Sequence, residues 1–171
     1  MTVRVARSVG IGVGLGLTLL LTMYLLVGLL WHVRTDGPAG VTREGRAEAV
    51  GSAEVLHTVE TSNPTGADAY EITYLVLDHH AEDASRVLEE ERARLEASRW
   101  SPYAPEHATD GTLLAFGAST ERHDTAAEFR VLSRFLEEGD HAMPEDDFTE
   151  IAQRFEGRAD LLIVRLRPRA P

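Results

Sequence analysis

The chain contains no cysteine and no lysine. The first absence rules out disulfides and thiolate metal sites, so the fold must hold without staples. The second leaves arginine as the whole basic complement of 17 residues. Together with the many alanines, this suggests a high-GC coding bias rather than a function. Positive charge is scarce overall: 28 acids bring the net charge to −11. Residues 32–171 carry all the acids and 15 of the arginines, a balance of −13. A surface of that sign is a poor partner for nucleic acid and is repelled by anionic lipid.

A third absence is local. Val9–Trp31, VGIGVGLGLTLLLTMYLLVGLLW, runs for 23 residues without a charge. A bilayer core of about 30 Å needs roughly 20 apolar residues at 1.5 Å each, so this stretch predicts a transmembrane helix with Trp31 at the interface. A cleaved signal peptide is the rival reading, but its apolar region spans only about 7–15 residues. The best small-residue site, Gly37-Pro38-Ala39, also lies far downstream. Arg4 and Arg7 precede the span while Arg34, Arg43 and Arg46 follow it, so arginine counts alone do not orient it. Long domains translocate largely regardless of charge and the short N-terminal flank usually dominates. The expectation is a single-pass protein of the cell membrane with its C-terminal domain extracytoplasmic.

Within the span, Gly10, Gly12, Gly14 and Gly16 alternate, but the third glycine of a dinucleotide fingerprint is missing. At helical spacing Gly10, Gly14, Thr18 and Thr22 make a line of small residues. Such a line lets helices approach closely, and predicts self-association or a helical protein partner. The organisation expected is a tail over 1–8, the span over 9–31, a Gly- and Pro-broken linker over 32–46, and a soluble α+β domain over 47–171.

In that domain, residues 47–59 mix helical and strand spacing and read as a short helix leading into a loop at 61–66. Tyr70–Leu77 alternates apolar and aromatic residues as an inner strand does. A helix is expected over 81–99, its outer face pairing Glu82 with Arg86 and Glu90 with Arg94, its end marked by Trp100 and a proline-rich stretch. Gly111–Ala118 reads as a second strand. Residues 126–136 fit a third strand after a hairpin across 119–125, or a helix through Ala126, Phe129, Leu132 and Leu136. Pro144–Phe155 is a helix with apolar residues at i, i+3, i+4 and i+7, stopped by Gly157, and 160–167 is the closing strand. The order strand, helix, strand, strand, helix, strand predicts a ferredoxin-like βαββαβ fold with both helices on one face.

The loudest cluster of chemistry-bearing residues is Asp78-His79-His80, at a strand-to-helix junction. The triplet resembles the Asp-His-His signature of the DHH phosphoesterases, which implies a two-metal hydrolase. The resemblance covers three residues. The companion aspartates of such a site have no counterpart, since Asp36 alone precedes residue 68. The competing reading is a polar turn in which Asp78 or a neighbour caps the helix. His57, His107, His123 and His141 show no ligand spacing, and Ser119 with its neighbours to Asp124 reads as a hydrophilic hairpin loop. There is no Gly-x-Ser-x-Gly elbow.

In outline the chain resembles small anchored proteins of high-GC Gram-positive bacteria: an anchor, an Arg- and Ala-rich composition, a terminal strand before proline. The expected function is a membrane-anchored, non-enzymatic binding or envelope-associated protein with no cofactor. The alternatives are a metal-dependent hydrolase using Asp78, His79 and His80, and an acidic immunity or inhibitor protein binding a basic partner.

Overall fold

Tyr70–Asp78 has the sequence's clearest strand pattern, and the rest of the domain is built outward from it. The computed structural model describes Met23 and residues 39–63 and 70–169. Among these residues six strands form one antiparallel sheet: β1 (Glu54–Asn63), β2 (Tyr70–Asp78), β3 (Ser101–His107), β4 (Leu113–Thr120), β5 (Thr125–Val131) and β6 (Leu162–Pro168). Their spatial order is β1-β2-β6-β5-β4-β3. Four helices accompany them: α1 (Arg43–Val50), α2 (Ala84–Ala97), α3 (Leu132–Glu138) and α4 (Glu145–Arg154).

Each face of the sheet has its own core. On the first, α1 and α2 bury Ala49, Val87, Leu88 and Leu95 against Leu75, Leu77, Phe116, Phe129 and Val164. The Phe116 and Phe129 rings stack there with centroids 4.9 Å apart. On the second, α3 and α4 bury Leu132, Phe135, Ile151 and Phe155 against Val59, Tyr74, Val76 and Ile163. Fully burying a Leu, Ile or Phe contributes roughly 1.5–3 kcal/mol, so the two layers supply most of the drive to fold.

This arrangement corrects the expected fold of a transmembrane helix followed by a ferredoxin-like βαββαβ domain. The sheet has six strands in the order β1-β2-β6-β5-β4-β3, whereas a split βαββαβ unit has four. Helices cover both faces, not one. The physical reason lies in β6: Leu162, Val164 and Leu166 are buried towards the first core and Ile163 towards the second. A strand apolar on both sides is driven to a central lane, and β6 takes the one between β2 and β5. No helix among the described residues is long and apolar enough to cross a membrane. The expected span, Val9–Trp31, lies outside the described residues.

Other differences are local. The ambiguous stretch from Ala47 is both elements in turn: Gly51, at φ 61°, closes α1, and β1 follows. The left-handed backbone there favours glycine. Residues 39–46, expected in a linker, belong to the folded unit, for Ala39 bridges Tyr70 and α1 begins at Arg43. Residues 125–138 also divide, strand to Val131 and helix from Leu132. The proline-rich stretch after Trp100 is β3, an edge strand, where Pro102 and Pro105 are tolerated and discourage pairing with another chain.

Candidate functional site

The structure turns His79 away from Asp78 and His80. Asp78 ends β2, where its Oδ1 accepts the His80 backbone N–H at 2.6 Å and its Oδ2 accepts from Arg158 at 3.0 Å. Burial opposes its ionisation, but these two donors outweigh burial and hold its pKa below the usual carboxylate value. Arg158 also grips Asp160 through two bonds of 2.7 Å. His79 turns inward under α2, with Nδ1 3.9 Å from Glu91 Oε1 and Nε2 buried without a partner. His80, at φ 55°, turns out to solvent with its side chain 70% exposed. The helix cap is Asp83, accepting from the Ser85 and Arg86 N–H groups at 3.0 and 3.2 Å. His79 thus points away from the other two, while His80 Nδ1 stays 3.5 Å from Asp78 Oδ1, and among the described residues no three His, Asp or Glu groups are placed to hold a metal ion. The packing candidates Gly10, Gly14, Thr18 and Thr22 lie outside the described residues.

A charged row crosses the second face. Register aligns Val59, Tyr74, Arg165, Glu128, Gly117 and Tyr103 across all six strands. The Tyr74 hydroxyl donates to Asp140 at 3.0 Å, and Arg165 bridges Asp140 at 3.1 Å to Glu128. Burial, reinforced by the Asp140 charge, pushes the Tyr74 hydroxyl's pKa up. Arg130 continues the chain to Glu128 and Glu138. Each charge has its opposite, so the row reads as a satisfied structural network.

The arginines of the hairpin end behave differently. All described arginines except Arg43, Arg99, Arg122 and Arg167 have a carboxylate partner. Two of these four, Arg99 and Arg122, line one hollow of about 450 Å³ together with Arg169. Three elements deliver them: the turn from α2 into β3, the β4–β5 hairpin, and the residue following β6. Ser101, Ser119 and Thr120 add hydroxyls to the wall. Register places Ser101 beside Ser119, Ser119 beside Ala126 and Ala126 beside Arg167, so a fourth arginine sits in the same cross-strand row as the two serines. Arg169 is held by its N–H to Asp124 O at 2.9 Å, and its guanidinium meets Glu121, 85% exposed, at 2.9 Å.

Arg99 occupies an unusual backbone. It follows α2 in a Schellman turn, with Trp100 N–H to Leu95 O at 3.0 Å and Arg99 N–H to Glu96 O at 3.1 Å. Its φ of 67° is where helix ends ordinarily place glycine. The sequence offered little sign of this site, because residues 99, 122 and 169 are far apart along the chain. The one signal was the arginine run Arg165, Arg167 and Arg169 at the end of an acidic protein.

No family model matches the chain, and no curated protein or solved structure shows significant similarity to it.

Proposed function

We propose that the chain is a membrane-anchored binding protein without catalytic machinery, its domain extracytoplasmic and its ligand held in the hollow lined by Arg99, Arg122 and Arg169. The observation that carries the binding role is charge placement. In a chain of net charge −11, where the described arginines are otherwise mostly neutralised, two unpaired ones line one hollow with a third whose partner is an exposed glutamate. A hollow of this volume is within the range of small-molecule sites. Anchoring is supported by the 23 uncharged residues from Val9 to Trp31, and the orientation by the short N-terminal flank.

Fractionation tests the anchored reading. Full-length chain carrying a reporter after Pro171 is expected in the membrane pellet after alkaline carbonate extraction, with the reporter active on the extracytoplasmic side. A carbonate-soluble chain would remove the anchor, and a cytoplasmic reporter would reverse the orientation.

A further inference from the structure

We propose that the hollow at the hairpin end is an oxyanion site for a small phosphorylated ligand, with Arg99 and Arg122 as its main contacts. The inference rests on reading the hollow as a binding site, and is independent of whether the chain is anchored. Guanidinium groups present rigid forks of N–H donors that match two oxygens of a phosphate at once. Arg99, from the end of α2, and Arg122, from the β4–β5 hairpin, supply two such forks with no carboxylate to occupy them. Ser101, Ser119 and Thr120 also line the hollow and bring hydroxyl groups to it. Arg169 is engaged, but only by Glu121, whose side chain is mostly in solvent. That carboxylate takes a place a phosphate oxygen would take, as an internal competitor from the rim.

A second, independent observation is the Arg99 backbone. Solubility alone would be served by an arginine at any exposed position. Here a long side chain is kept at φ 67°, where glycine would fit without strain. Residues held in such conformations concentrate at ligand sites, where the surrounding fold sustains the cost. The acidic balance of the whole chain selects among anions. A long polyanion such as nucleic acid would meet the field of the surrounding acids, whereas a small phosphate group lies within the reach of the local arginines.

Calorimetric titration of the full chain in neutral detergent at low ionic strength tests this, with inorganic phosphate and pyrophosphate as soluble probes and micelles doped with phosphatidylglycerol as the lipid arm. Saturable pyrophosphate binding that weakens as salt rises is expected. Arg122→Gln and Arg99→Gly should each weaken it at least ~10-fold, the loss of a charge-assisted contact. Arg86→Gln removes the same charge from the far end of α2, and should leave affinity unchanged. Glu121→Gln should tighten binding by freeing Arg169.

Arg99→Gly carries a further signature, because it removes the guanidinium and also relieves the backbone. It should raise Tm by about 2–4 °C while binding is lost. Binding confined to the phosphatidylglycerol micelles, with the same dependence on Arg99 and Arg122, would support the site and identify its phosphate as a lipid headgroup. No saturable binding in either arm, or binding indifferent to both arginines, would overturn the proposal. A chain found carbonate-soluble would leave this titration unaffected, so the two readings fail separately.

Discussion

Glu91 shows what a single residue can conceal. It interrupts the apolar stripe of α2 and, by spacing, looks like a defect in an otherwise buried face, yet it is 6% exposed. Arg94, one turn on, meets it at 2.5 Å and also donates to the Glu48 and Ala49 carbonyls at 2.8 and 2.9 Å. One guanidinium therefore neutralises a buried carboxylate and satisfies the open carbonyl end of α1. The sequence-level pairing of Glu90 with Arg94 gives way to this one because the buried acid has the greater need. Arg94→Met should cost about 2–4 kcal/mol, measured as ΔG from urea unfolding, since it leaves the buried Glu91 carboxylate with only the His79 ring nearby. A loss below about 1 kcal/mol would show that Glu91 escapes to water. A quieter residue-scale fit lies at Gly117, where a Cβ would overlap the Tyr103 ring from the edge strand.

For whole elements, the periodic segments were legible and their boundaries less so. The helix expected from Ala81 begins at Ala84, because Asp83 rather than Asp78 caps it. Asp78 is drawn away by Arg158 from beyond α4, a contact between residues far apart in the chain. Asp83→Ala should therefore lower stability by ~1 kcal/mol in chemical denaturation, the usual loss of a side-chain cap. Asp78→Ala should leave the helix start unchanged by amide hydrogen exchange. The two strands absent from the sequence-based reading, β1 and β3, are the sheet's edges. An edge strand has a hydrogen-bonded neighbour on one side only and is more exposed, and so shows less of the alternation that reveals a strand. β3 is exposed along nearly its whole length.

Across the whole molecule, acid is the weak direction. Burial lowers the proton affinity of His79, the Glu91 charge opposing it and the Arg94 charge adding to it. The unfolded chain then takes up this proton more readily than the folded one, so the stabilisation is present above the ordinary histidine value of about 6.5 and is lost as pH falls. Asp160, held by Arg158, and Asp78 have pKa values depressed below the carboxylate norm. Their contribution is present above roughly pH 4 and lost as pH drops through their folded values. Thermal melts should therefore show Tm falling in two stages, one between neutrality and pH 5, the other below pH 4. His79→Gln should shrink the first stage and leave the second. A Tm unchanged between pH 7.5 and pH 5 would contradict the role given to His79.

By itself the sequence determined the α+β class, four strands including β2 and β6, and two helices expected over 81–99 and 144–155, whose observed bounds are 84–97 and 145–154. All of these are written in local periodicity, which a chain cannot hide when one face must be buried. Lane order was decided by tertiary structure, because a strand apolar on both faces gains most in the centre whatever its place in the chain. The tertiary fold also turned His79 away from Asp78 and His80, because His79 packs beneath α2 against Glu91 while Asp78 meets Arg158 and His80 at the surface. It brought Arg99, Arg122 and Arg169 to one hollow, because the turn into β3, the β4–β5 hairpin and the end of β6 lie at the same end of neighbouring strands.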